Sequence, residues 1–169
     1  MRLFLAIIPD NGIKDELCFV QKRLQLQGVK GKFTPRENMH LTLAFIGEYS
    51  DPEFVSQTLC GITFDPVRLV IDGFGCFNDT FWIGIREDAG LTANVKRIRR
   101  ALADNGIPFD KKKFMPHMTI ARRIEYEGKF PTDAPFAAGM DVEYISLMRS
   151  DRGKSGMIYT VVDEYEINC

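Results

Sequence analysis

The chain of 169 residues has only two histidines, one tryptophan and four cysteines, and its net charge is −1. Each scarcity excludes something. With charge so close to balanced there is no global pull toward nucleic acid, so any such contact must be local. The cysteines (Cys18, Cys60, Cys76, Cys169) show no C-x-x-C spacing and no dense framework. They read as reduced, cytosolic packing residues rather than a disulfide scaffold or a metal knuckle. No apolar run reaches membrane-spanning length, so no membrane partner is expected. The opening Met1-Arg2-Leu3-Phe4-Leu5-Ala6-Ile7-Ile8-Pro9 is basic, then apolar, and too short for a signal peptide; it reads as a first strand. A hydrophobic fraction of 45% and a charged fraction of 27% fit a soluble globular protein. A single domain over residues 1–169 is expected.

Both histidines open the same pattern: His40-Leu41-Thr42-Leu43-Ala44 and His117-Met118-Thr119-Ile120-Ala121. Alternating residues of a strand share a face, so each copy sets an imidazole beside a hydroxyl and turns Leu41 or Met118 toward a core. Two imidazoles across a groove supply an acid and a base, and two hydroxyls supply donors for an anion. A structural role for a lone strand histidine is the ordinary expectation, but here a repeated motif consumes every histidine. Two histidines are also half of a zinc site, yet no acidic or cysteine ligand sits at a telling offset from either. A metal site is therefore the less favoured reading.

The remaining pattern frames these motifs. Ile13, Leu17, Val20 and Leu24 form a helical stripe ending at Gly28, and a basic loop with Lys30, Lys32 and Arg36 leads to the first motif strand. Ser50-Asp51-Pro52-Glu53 reads as a capping box opening a short helix that ends near Gly61. Val67 to Phe77 and Phe81 to Ile85 read as paired strands. Leu91, Val95, Ile98 and Leu102 mark a second strong helix, stopped by Gly106. After Arg123 an irregular loop with Gly128, Pro131, Pro135 and Gly139 is expected. Two final strands, about Val142 to Arg149 and Ile158 to Ile167, are joined by a turn-rich segment from Ser150 to Gly156. Helix end and motif lie twelve residues apart in the first half and eleven in the second, a sign of internal duplication.

The paired motifs resemble the signature of the two-histidine phosphoesterase superfamily. With their flanks, Glu37 to Gly47 and Phe114 to Arg122, and with the Arg2 to Ile7 strand, they resemble one family in it: the RNA 2',3'-cyclic phosphodiesterases, whose bacterial members are also called 2'-5' RNA ligases. The resemblance implies a bilobal α+β fold, two similar lobes each with an antiparallel sheet backed by helices, around a groove, and it implies no metal and no cofactor. It implies hydrolysis of RNA or nucleotide 2',3'-cyclic phosphates to 2'-phosphates, with His117 activating water and His40 protonating the 3'-oxygen; the residues alone leave those two roles open. Thr42 and Thr119 would hold the phosphate oxygens, and the reverse reaction would join RNA ends by a 2'-5' bond. Arg122 matches the arginine closing the family's second motif, although strict alternation points it away from His117 and Thr119. Phe33 stands where the family often has tryptophan. Arg152 and Lys154 are further candidates for holding substrate, with Arg36 behind them. RNA ends or cyclic nucleotides are the expected partners of a cytoplasmic monomer. A non-catalytic RNA-end or nucleotide-binding module is the alternative.

Overall fold

The computed structural model describes residues 1–128 and 138–167. The irregular stretch expected around Pro131 and Pro135 lies outside the described residues, as does Cys169. The chain order is β1 (Arg2–Ile7), α1 (Asn11–Leu26), β2 (Lys30–Phe33), β3 (Leu41–Glu48), α2 (Pro52–Cys60), β4 (Arg68–Phe77), β5 (Thr80–Ile85), α3 (Ala89–Asp104), β6 (His117–Glu125), β7 (Gly139–Asp141), β8 (Tyr144–Gly153) and β9 (Gly156–Glu166). The strands form two antiparallel sheets, ordered β3-β1-β8-β9 and β2-β6-β5-β4-β7. Each sheet carries one motif strand, and the sheets meet where β3 touches β6. The bilobal α+β expectation holds.

Local chemistry sets the helix starts. Asp10 caps α1 by accepting from the Ile13 amide at 2.9 Å, and Asp88 caps α3 through the Leu91 amide at 2.8 Å. The cap of α2 is Asp51, which accepts from Phe54 N at 2.9 Å. The expected box between Ser50 and Glu53 is therefore displaced by one residue, with Pro52 in the first turn as anticipated. The apolar stripes enter one continuous core: Ile13, Leu17 and Leu24 from α1, and Leu91, Val95, Ile98 and Leu102 from α3. Asn94, the buried polar residue of α3, is satisfied by both backbone groups of Asp65 at 2.8 Å.

The two halves of the chain interlock rather than sit side by side. β1 and β3 stay together, but β4, which follows them, crosses to the other sheet and pairs with β5. β8, which follows β6, crosses back and pairs with β1. Helix α1 packs on β6 and β7, while α3 packs on β3 and α2 on β9.

Three expectations need correction. The basic loop containing Lys30 and Lys32 is an edge strand, β2, with Lys32 opposite Arg122. Its exposed sequence has no apolar alternation to betray it. Gln21 of α1 fixes it, donating to the carbonyls of Thr34 at 2.8 Å and Ile120 at 2.9 Å. β7 was likewise hidden within the expected loop. Finally, the segment from Ser150 to Gly156 is mostly strand: Arg152 pairs with Met157 and Gly153 with Gly156, leaving Lys154 and Ser155 as the turn.

Candidate active site

Both motif strands carry a β-bulge at the same place. In β3, Ala6 faces Thr42 and Leu5 faces Ala44, so Leu43 is the extra residue. In β6, Trp82 faces Thr119 and Phe81 faces Ala121, so Ile120 is extra. Leu43 and Ala44 both enter the core, as do Ile120 and Ala121. The bulge resets alternation, and the next residue returns to the groove face. In β6 that residue is Arg122, which lines the cleft with His117 and Thr119. The apparent conflict over Arg122 is thereby resolved. In β3 the matching residue is Phe45, packed with Phe4, Ala6, Met148 and Tyr159.

The cleft has a volume of about 410 Å³ and brings together His40, Thr42, His117, Thr119, Arg122 and Lys154. Lys32, Phe33, Asn38 and Tyr159 also line it. Arg36 does not. It is committed to α1, 2.6 Å from Asp15 and 3.3 Å from the side-chain oxygen of Asn11. Arg152 does not line the cleft either: it is exposed on β8, opposite Met157.

The two imidazoles are held in the same way. His40 Nδ1 lies 2.7 Å from the carbonyl oxygen of Asn38, and His117 Nδ1 lies 2.6 Å from that of Met115. A carbonyl only accepts, so each Nδ1 carries a proton and each Nε2 is the atom left for chemistry. His40 Nε2 sits 3.0 Å from Thr42 Oγ1. The Asn38 amide donates to Met157 O at 2.8 Å, which ties this anchor to the β8–β9 hairpin. Rings enclose both histidines: Phe4 and Tyr159 at 5.0 and 5.2 Å from His40, Phe77 and Trp82 at 5.3 and 5.8 Å from His117. Phe4 and Tyr159 carry no site signal in the sequence, because strand register and the hairpin bring them to His40.

Burial pushes the His40 pKa below its ordinary value. The Asn38 carbonyl opposes the shift, and the positive fields of Arg122 and His117 add to it. The unfolded chain therefore takes up this proton first as pH falls through about 6.5, and stability declines until the native His40 is protonated as well. Urea midpoints at successively lower pH should show this loss, and His40→Gln should shrink it. An equal acid loss in wild type and variant would remove His40 as its source.

Among the described residues, no group of three or more His, Cys, Asp or Glu side chains could hold a metal ion, and no helix is long and apolar enough to cross a membrane.

Comparison with known proteins agrees with this geometry. The family described as the 2'-5' RNA ligase superfamily matches residues 20–154. A protein from Archaeoglobus fulgidus named RNA 2',3'-cyclic phosphodiesterase is 32% identical over 72% of this chain and 72% of its own length. One of the same name from Aquifex aeolicus is 30% identical over 98% of this chain and 96% of its own. The crystal structure of E. coli LigT complexed with 3'-AMP shares the fold, with a TM-score of 0.86 over 99% of this chain and 98% of that one, at 24% identity. Two bulged histidine–threonine strands facing one cleft, and a sequence match spanning both of them, lead to one conclusion: the chain belongs to the 2'-5' RNA ligase superfamily.

Proposed function

We propose that this chain hydrolyses the 2',3'-cyclic phosphate ends of RNA or nucleotides to 2'-phosphates without a metal. One observation carries the reading: both Nδ1 atoms are anchored on the carbonyl two residues upstream, so both reactive Nε2 atoms are available to a single cleft. The names of the relatives support the substrate class.

The step balances with these groups alone. Water attacks phosphorus and gives a proton to His117 Nε2. The bond from phosphorus to the 3'-oxygen breaks, and that oxygen takes a proton from His40 Nε2. Thr42, Thr119 and Arg122 hold the non-bridging oxygens as charge builds on them. Burial lowers the His40 pKa and so disfavours the protonated form that an acid needs. A bound phosphodiester anion offsets the burial that keeps the empty site neutral. With an RNA 5'-hydroxyl in place of water, the same groups join ends by a 2'-5' bond. The reading includes Lys154 as a holder of longer RNA and drops Arg152 and Arg36. It treats the chain as a single cytoplasmic catalytic domain acting as a monomer.

Ring opening of a 2',3'-cyclic nucleotide, followed by phosphorus NMR, is the test. A 2'-phosphate should accumulate at an unchanged rate with a chelator present. Tight binding with no product would instead identify a binding module, and a rate lost to chelator and restored by zinc would overturn the metal-free mechanism.

A further inference from the structure

The groove face of the five-stranded sheet continues past His117, away from His40, into a second cavity of about 290 Å³. Its walls include Phe77, Trp82, Phe114 and Met115, and His117 lines both this cavity and the main cleft. We infer that this cavity holds the base of the nucleoside whose 5'-oxygen attacks or leaves phosphorus; in cleavage of a 2'-5' linkage the 3'-oxygen attacks phosphorus and gives its proton to His40, while the bond to the 5'-oxygen breaks and that oxygen takes a proton from His117. The inference rests on the phosphodiesterase reading above.

Displacement at phosphorus is in line, with entering and leaving oxygens on opposite sides. With His117 serving the entering oxygen, the nucleoside that carries a 5'-hydroxyl must extend outward beyond His117. The chain has built an aromatic platform there. Trp82 stands 5.8 Å from the His117 ring and 5.0 Å from Phe77. One glycine lets the indole lie down on the sheet: a Cβ on Gly75, directly opposite Trp82, would overlap the ring. Phe77 and Met115 remain 40% and 50% exposed, a large apolar surface left for a ligand to cover. Trp82 Nε1 is buried without a hydrogen-bond partner, so the ring is held on the sheet by packing alone. Base stacking on aromatic side chains suits such a platform because every base has a π-face.

Trp82 is the only tryptophan, so its fluorescence reports on this cavity alone. On His40→Gln, which blocks turnover, adenylyl-(2'-5')-adenosine should quench Trp82 more strongly than adenosine 2'-phosphate, which lacks the 5'-linked nucleoside. In the otherwise wild-type enzyme, Phe77→Ala should lower the ratio of kcat/KM for that dinucleotide to kcat/KM for a cyclic mononucleotide by about tenfold or more, the loss expected for one base stack. Equal quenching by the two ligands, or a ratio within about twofold of wild type, would overturn the subsite. So would an enzyme that opens cyclic phosphates but does not cleave the dinucleotide. An enzyme that opens no cyclic phosphate would instead overturn the parent reading.

Discussion

His40→Ala and His117→Ala should each lower the opening of a 2',3'-cyclic nucleotide by about 10²- to 10⁴-fold, the usual worth of a positioned general acid or base. Both variants should stay folded. His40→Ala gives up bonds to the Asn38 carbonyl and the Thr42 hydroxyl, and His117→Ala one to the Met115 carbonyl, while the apolar core beneath is untouched. Circular dichroism checks the fold, and initial rates check the chemistry. A substrate with sulfur in place of the 3'-oxygen separates the roles, because a thiolate leaves without a proton. On it His40→Ala should recover most of its loss and His117→Ala should not. The reverse pattern would exchange acid and base, and near-normal turnover by either variant on the natural ring would remove that histidine from the mechanism.

Arg122→Ala should cost about 10- to 100-fold on cyclic mononucleotide and long RNA alike, the worth of a charged hydrogen bond at the reacting phosphate. The β6 bulge turns Arg122 into the cleft beside Thr119, and its strand neighbour Lys32 lines the same cleft. Lys154 lies on the β8–β9 turn, farther along the wall. Lys154→Ala should weaken long RNA and reduce the slope of log K against log salt by about one, with a smaller effect on the mononucleotide. If Arg122→Ala harms only long RNA, or if all substrates respond alike to both changes, the division between reacting-centre and strand-holding cations is wrong.

What was legible in the sequence was local. The motif strands, three helices and their apolar stripes follow from spacing, and the two histidines identify themselves by repetition. The rest depends on register. β2 has no periodicity and exists because β6 and Gln21 of α1 complete it. Arg152 reads as part of a turn-rich joint in the sequence, whereas pairing with Met157 places it within β8. Arg122 looked misdirected because an alternation rule cannot anticipate an inserted residue. Tyr159 and Phe4 flank His40 from strands that are remote in sequence and adjacent only in the sheet. The exchange of β4 and β8 between sheets leaves no mark in any short window.

The twin bulges have a consequence for how substrate must enter. They give the two strands the same backbone step and then fill it differently: Arg122 turns its guanidinium into the cleft, while Phe45 packs against Phe4 and Met148 under the Arg2 guanidinium and does not line it. A near-twofold scaffold with identical fillings would accept a phosphodiester in either direction, and half of those encounters would present the ester bonds to the wrong imidazoles. Here the backbone is nearly symmetric and the electric field is not. A phosphate anion should be drawn toward the Arg122 side, so this difference between the two strands gives the cleft a direction.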